Sequence, residues 1–173
     1  MEKLTEQPTT DLNTGVIRLS NVDEFITHST EIIPTAIRSI NIISHDLALS
    51  WLGQEAVIDA LKQFILTNRR ARIRLLVGET RSALSANHPL IPLIKKLSRI
   101  EARIIEEEIL EKEPLKYEYI LVDRSGLVVK QKPDQFIGFA HPDDKTTVKN
   151  LQSSFDQYWR YSQPSPELRY FSI

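Results

Sequence analysis

One stretch of the sequence decides the fold: KYEYILVDRSGLVV, residues 116–129. Two runs of tyrosine and aliphatic residues, Lys116–Val122 and Leu127–Val129, flank a short polar segment that contains Asp123 and Gly126. Runs of this composition joined by Asp and Gly are typical of a β-hairpin. The stretch therefore predicts two antiparallel strands that meet at a tight turn.

The segments around this hairpin predict further strands and helices in alternation. Apolar runs of strand length are Val16–Leu19, Ser39–Ser44, Arg72–Val77, Ala102–Ile105 and Phe136–Ala140. Between them apolar residues recur at helical spacing, and the pairs Ser20-Asn21 and Asp143-Asp144 provide helix caps. Strands that alternate with helices predict an α/β fold, a mixed β-sheet flanked by helices on its faces.

The length and the distribution of polar residues predict one domain. A chain of 173 residues is long enough for a single sizeable core. Residues 1–15 are polar and are predicted to form a flexible tail, and residues 16–173 are predicted to form the domain. Glu111–Pro114 is predicted to be a charged connector, and Leu168–Ile173 an edge strand or a dimer contact.

The overall composition is that of an ordinary globular domain with little net charge. Lys plus Arg number 22 against 23 Asp plus Glu, so the net charge of -1 creates no global field that attracts nucleic acid or an anionic membrane. The absence of cysteine excludes disulfides and thiolate catalysis. No stretch resembles a signal peptide or a membrane span. These features predict a cytoplasmic location and no membrane partner.

The hairpin and its neighbours resemble a known catalytic fold. The order of the elements, the tyrosine-flanked hairpin that ends in Asp123, and the closing helix with Phe155 and Trp159 are similar to half of a phospholipase D-like domain, over roughly residues 20 to 162. In that superfamily the hairpin carries His-x-Lys-x-x-x-x-Asp: the His is the nucleophile, the Lys binds phosphate oxygens and the Asp buttresses the site. The resemblance implies a phospholipase D-like half-domain.

The motif of that superfamily is degenerate in this chain. Alignment on Asp123 places Lys116 at the His position and Glu118 at the Lys position. An ammonium is a poor nucleophile unless it is desolvated, and a carboxylate repels phosphate. Lys130–Pro133 stands where active members have Gly-Ser-x-Asn. We therefore predict no catalytic residues, and a non-catalytic domain that acts as a binding or protein-interaction module for an unknown protein or small-molecule partner.

The resemblance also implies an oligomeric state. Superfamily members with one motif per chain pair their hairpins across a two-fold axis, so a single half-domain favours a homodimer. In such a dimer Lys116 and Glu118 of the two chains would form reciprocal ion pairs that close the former cleft.

An alternative is an enzyme with altered hydrolase or phosphodiesterase chemistry that uses other histidines. His45-Asp46 follows a predicted strand, at the end where ligands bind in α/β folds. His88 and His141 each precede a proline at the start of a predicted helix. The enzyme requires two of these histidines to converge on a carboxylate of the hairpin. The competing interpretation gives His45 a solvated loop position and gives His88 and His141 local capping roles.

A second alternative is a nucleic-acid-binding module. Arg69, Arg70, Arg72 and Arg74 are the densest basic group and form a candidate anion-binding patch. Arg69 and Arg70 stand at a predicted helix C-terminus, where cations are stabilised by the helix dipole. No aromatic residue is interleaved with these arginines to stack on bases. Together with the low net charge, this argues against nucleic acid as a partner.

Metal and cofactor motifs are absent from the sequence. The four histidines have no metal-ligand spacing, and no glycine-rich nucleotide-binding loop occurs. The sequence therefore predicts no metal site and no cofactor.

Overall fold

The computed structural model describes residues 15–169, which form one eight-stranded sheet with six α-helices. The predicted tail, residues 1–15, lies outside the described residues except for Gly15. The strands are β1 (Ile17–Leu19), β2 (Ser39–Ser44), β3 (Arg72–Val77), β4 (Ile100–Ile105), β5 (Glu118–Val122), β6 (Gly126–Lys130), β7 (Gly138–His141) and β8 (Ser162–Pro164). The helices are α1 (Val22–Ile32), α2 (Glu55–Thr67), α3 (Arg81–Ser85), α4 (Leu90–Lys96), α5 (Glu107–Lys112) and α6 (Lys145–Arg160).

The sheet is mixed, as the sequence predicted. Its strand order is β1-β7-β6-β5-β2-β3-β4-β8. Strands β2, β3 and β4 are parallel, whereas β5 pairs with β2 in the antiparallel direction and continues into β6 and β7. The ends of β2, β3, β4 and β6 therefore lie along one side of the sheet, which we call the carboxyl edge. The opposite side is the amino edge.

The predicted hairpin is the centre of this topology. Strands β5 and β6 pair from Glu118 opposite Lys130 to Val122 opposite Gly126. All ten residues of the two strands are buried. The turn between them begins at Asp123, whose φ of 52° is in the left-handed region that Asp tolerates better than most residues. The hairpin thus places Glu118 at the carboxyl edge and Asp123 at the amino edge.

The two faces of the sheet have separate apolar cores. One face packs against α1 and α2, which contribute Phe25 and Leu61 among others. The other face packs against α6, from which Val148 and Phe155 are buried. Since side chains alternate along a strand, neighbouring residues of β5 serve different cores: Ile120 faces α1 and α2, and Leu121 faces α6.

One local prediction was wrong in part, and another is tested only in part. Half of the charged connector is helical, because α5 runs from Glu107 to Lys112 and so includes Glu111 and Lys112. The last described strand is β8, which forms directly after α6 at Ser162–Pro164. Leu168 and Arg169, the first two residues of the predicted edge strand or dimer contact, are not in a strand. Residues 170–173 of that predicted segment lie outside the described residues.

No helix within residues 15–169 is long and apolar enough to cross a membrane.

Candidate functional site

The three positions of the degenerate motif do not form one site. Lys116 and Glu118 are at the carboxyl edge, whereas Asp123 is at the amino edge. Five residues of extended chain separate Glu118 from Asp123 by ~17 Å. Asp123 therefore does not buttress a site at Lys116, contrary to the role that the resemblance implied for it.

Asp123 has a structural role instead. Its carboxylate accepts hydrogen bonds from the backbone N–H groups of Ile37 and Arg38, both at 2.8 Å, and of Ser39 at 3.0 Å. Its own N–H donates to the carbonyl oxygen of Ser39 at 2.8 Å. One side chain thus fixes the hairpin turn to the segment that enters β2.

Glu118 is buried and bonded within the protein. Its side chain is 8% exposed, and Oε1 accepts a hydrogen bond from Oγ of Ser44 at 3.0 Å. The same Oγ accepts from the N–H of Leu47 at 2.9 Å, so this serine joins the end of β2 to the following loop. The position to which the resemblance assigned a phosphate-binding lysine therefore holds a side chain that is bonded inside the protein.

Lys130 lies directly opposite Glu118 and has its charge satisfied locally. It is 4% exposed, and Nζ donates to the carbonyl oxygens of Lys132 at 2.7 Å and Pro133 at 2.9 Å. The ammonium also lies 5.1 Å from the ring centroid of Phe136. The ammonium of Lys130 is thus engaged within the protein.

A small pocket of about 250 Å³ lies beside Lys116 and Glu118 at the carboxyl edge. Its polar lining consists of His45, Lys116, Glu118, Lys130 and Lys132. His45 and Lys116 are exposed, so the ammonium of Lys116 is not desolvated as a nucleophilic amine requires. His45 is the only imidazole among the lining residues, whereas superfamily chemistry needs two, one as nucleophile and one as acid.

Beside this pocket the carboxyl edge is acidic. A groove of about 1060 Å³ is lined by Glu79, Glu106, Glu107, Glu108, Glu111 and Glu167, with Arg81 and His45 as the basic residues. Burial alone would raise the pKa of Glu79, but hydrogen bonds from the hydroxyl and N–H of Ser82 and the N–H of Arg81 lower it. This concentration of carboxylates repels a phosphate from the carboxyl edge.

The histidines do not converge. His45 is at the carboxyl edge, where Asp46 follows it in the loop after β2. His141 ends β7 at the amino edge, and its Nδ1 accepts from the N–H of Asp143 at 3.0 Å. His88 is 1% exposed in the loop before α4. The geometry therefore lacks the convergence on a hairpin carboxylate that the enzyme alternative requires.

His88 is a structural residue. Its Nε2 is 2.9 Å from the carbonyl oxygen of Leu47, and its Nδ1 accepts from the N–H of Leu90 at 3.1 Å. This pattern requires the neutral ring with the proton on Nε2. Burial lowers the pKa of His88, and the hydrogen bond to Leu47 opposes that shift only in part.

We expect the His88 pKa to make stability depend on pH. Because the folded pKa lies below the unfolded value of about 6.5, the unfolded chain binds more protons between the two, and the free energy of unfolding falls as the pH drops below about 6.5. His88→Gln should cost about 1 kcal/mol at pH 7.5 and flatten the dependence between pH 7.5 and 5. Urea unfolding of both proteins across that range measures this, and parallel curves would contradict it.

The predicted arginine patch divides into two parts. Arg69 and Arg70 are exposed in a turn beyond the end of α2 at Thr67. Arg72 and Arg74 lie on β3 and face α6, where they line a groove of about 800 Å³ with Arg124, Lys145 and Lys149. We call this the α6 groove. Its remaining lining residues are Ser39, Asn41, Asp123, Val148, Gln152, Ser153 and Asp156.

Arg74 forms the floor of the α6 groove. Its Nε donates to Oδ1 of Asn41 at 2.9 Å, and its Nη2 is 3.4 Å from Oδ1 of Asp156. Its guanidinium lies over the rings of Phe155 and Trp159, at 5.0 and 4.8 Å from their centroids. The sequence interpretation included Arg72 and Arg74 but missed Arg124, Lys145 and Lys149. The i, i+4 spacing of the two lysines after a helix cap was the available signal.

Metal-binding clusters are not found in the described part of the chain. Across residues 15–169, no three His, Cys, Asp or Glu side chains group in a way that could hold a metal ion.

Comparison with known structures identifies the class of fold. NucT from Helicobacter pylori has a TM-score of 0.60 at 10% identity, with 83% of this chain and 92% of that chain covered. Nuc from Salmonella typhimurium, a phospholipase D family member, has a TM-score of 0.50 at 9% identity, covering 80% and 89%. These likenesses confirm a phospholipase D-like α/β fold. The sequence profile of one family matches residues 21–171, and the chain belongs to that family, described as a domain of unknown function (DUF7931).

A third similar structure is that of a longer, DNA-binding protein. TrmBL2, an archaeal chromatin protein described as having a novel mode of DNA binding, has a TM-score of 0.60 at 11% identity over 89% of this chain. The present chain spans 56% of its length. No curated protein matches the sequence.

This comparison corrects the prediction about partners. The sequence argued against nucleic acid, because the net charge is small and no aromatic residues accompany the arginines. The same fold occurs in a DNA-binding chromatin protein, so that exclusion was wrong. The prediction failed because a net charge averages over the whole surface, whereas five basic side chains here line one groove and an acidic groove lies elsewhere.

Proposed function

We propose that this domain is a non-catalytic phospholipase D-like module that binds a partner. The buried carboxylate of Glu118 carries the proposal, because it stands where the superfamily has a cation for phosphate. The internal bonding of Lys130 and the acidic groove beside the pocket support it. In this proposal the chain retains the phospholipase D-like fold and has lost the catalytic activity.

Nucleic acid is the partner class that we propose. The DNA binding described for the archaeal chromatin protein supports it, since that protein has the same fold at a TM-score of 0.60. The concentration of cationic side chains beside α6 supports it from within this chain.

We also propose a homodimer, but without the reciprocal ion pairs between Lys116 and Glu118 of the two chains. Glu118 is buried against Ser44, so its carboxylate is not presented to a second chain. Lys116 is exposed and remains the motif position that a partner copy would contact.

The absence of catalysis is tested with a chromogenic phosphodiester. We expect the pure protein to give no turnover above the buffer rate between pH 5 and 9, because the pocket offers one exposed imidazole and no second imidazole to act as the acid. His45→Ala and Lys116→Ala serve as matched variants. Turnover in the wild type that either substitution abolishes would show that the pocket retains chemistry and would refute the proposal.

A further inference from the structure

We propose that the α6 groove binds the phosphodiester backbone of nucleic acid, without reading its sequence. This inference rests on the proposed function, which it deepens by naming the surface and the mode of contact. The groove lies beside the amino-terminal halves of β2 and β3. The small pocket beside Lys116 and Glu118 lies at the carboxyl edge, at the other end of the strands. The groove is therefore a different place from the one at which the superfamily's motif acts.

The charge of the α6 groove favours a polyanion. Five cationic side chains line it against two carboxylates, Asp123 and Asp156. The carboxylate of Asp123 is held by three backbone N–H groups, and that of Asp156 accepts from Gln152 at 2.9 Å and faces Arg74. Both carboxylates thus have partners within the protein, and the side chains at the mouth are mainly cationic.

The cations at the mouth of the groove are exposed and come from three segments. Arg72 begins β3, Arg124 lies in the hairpin turn, and Lys145 and Lys149 stand one turn apart on α6. Exposed cations on a groove attract phosphate without the cost of burying a charge. Arg74 is less exposed and braced by Asn41, so it supplies a fixed charge beneath them.

Lys145 does not stabilise α6 through the helix dipole. It is the first residue of α6, where a cation is repelled by the positive end of the dipole. The first turns of α1, α2 and α5 carry Asp or Glu, whereas those of α3, α4 and α6 have none, and at α6 the acidic residue at the dipole is the N-cap Asp144. Because the Asp144 carboxylate is bonded to the N–H and hydroxyl of Thr147, the charge of Lys145 is the one directed to an anion in the groove.

The length of the groove suits a run of phosphates. From Lys145 to Asp156 the axis of α6 rises ~16 Å. Successive nucleotides of one strand advance about 3.4 Å along a duplex axis, so the groove matches about five nucleotide steps. Several phosphates can therefore contact the groove at the same time.

The aromatic residues near the groove indicate contact with the backbone and not with bases. Phe155 and Trp159 stack on each other with centroids 5.7 Å apart. Arg74 covers both rings, and Arg103 lies 4.5 Å from the centroid of Trp159. Rings engaged in this way offer no platform for base stacking, so we expect binding that is electrostatic and independent of sequence.

The test measures how tightly the whole chain binds a fluorescent 20-base-pair DNA duplex. Fluorescence anisotropy gives the affinity at salt concentrations from 25 to 200 mM. The test variant is Lys145→Gln/Lys149→Gln, and the matched control is Lys62→Gln/Lys96→Gln, which removes the same charge from exposed positions on α2 and α4. Thermal melts of all three proteins establish folding. The test variant should melt no lower than the wild type, because Lys145 opposes the helix dipole.

We expect the wild type to bind two duplexes of unrelated sequence equally. The test variant should lose about two units of the slope of log K against log salt, about one per lysine, and at least tenfold in affinity at 100 mM salt. The control should match the wild type. Equal binding by the test variant and the wild type would refute binding in the α6 groove and leave the proposed function intact. No binding by the wild type at 25 mM salt would overturn both the proposed groove and nucleic acid as the partner class.

Discussion

Replacement of Asp123 by alanine is expected to lower the free energy of unfolding by about 3 kcal/mol. Two effects add. The carboxylate loses three hydrogen bonds from the N–H groups of Ile37, Arg38 and Ser39, of which two are solvent-accessible and recover part of the loss through water. Alanine must also adopt the φ of 52° that Asp tolerates. Urea unfolding measures the difference.

The matched control for this prediction is Asp123→Asn. Asparagine tolerates the left-handed conformation and keeps one side-chain oxygen as an acceptor. We expect it to cost clearly less than alanine. A loss below 0.5 kcal/mol for alanine would fall within the range of ordinary surface substitutions. It would mean that the motif aspartate does not hold the hairpin to β2.

The substitution Glu118→Lys, which introduces the lysine that the proposed motif alignment places there, is expected to cost about 3 kcal/mol or more. Residue 118 is 8% exposed and directly opposite Lys130, which is 4% exposed. The substitution places two ammonium groups on neighbouring strands of a buried edge and removes the acceptor of the Ser44 hydroxyl. Thermal and urea unfolding will show the loss.

Two further variants separate charge repulsion from simple disruption of packing. Glu118→Gln keeps the shape and an acceptor for Ser44, so it should cost little. Lys130→Met in the Glu118→Lys background removes the second ammonium and should recover a large part of the loss. If the double variant is no more stable than Glu118→Lys alone, the repulsion explanation is wrong. Recovery of the free energy of unfolding in the double variant would mean that a lysine at position 118 is tolerated only when Lys130 is also replaced.

The fold was largely predictable because its signals are local. The hairpin, the three parallel strands and the caps Asn21 and Asp144 each follow from a few consecutive residues. Helix α5 was missed because it is six residues long and its two apolar residues, Ile109 and Leu110, are adjacent in the sequence, which gives no helical period.

The site was less predictable because the spacing of two residues along the chain does not show at which edge of the sheet each one lies. The resemblance implied that Asp123 buttresses a site at Lys116, but the strand between them carries the two residues to opposite edges of the sheet. Conversely, the α6 groove unites residues from the start of β3, the hairpin turn and α6. These segments have no common sequence pattern, and only the sheet order places them together.

The shortness of the outermost strands limits how copies of this chain can join. Within residues 15–169 the sheet is bounded by β1 and β8, each of three residues, and β8 ends in Pro164, which has no N–H to donate. Such borders are poor templates for adding a strand from another molecule. The domain should therefore resist fibrillar polymerisation at high concentration, and any self-association should depend on side-chain contacts and not on a continuous intermolecular sheet.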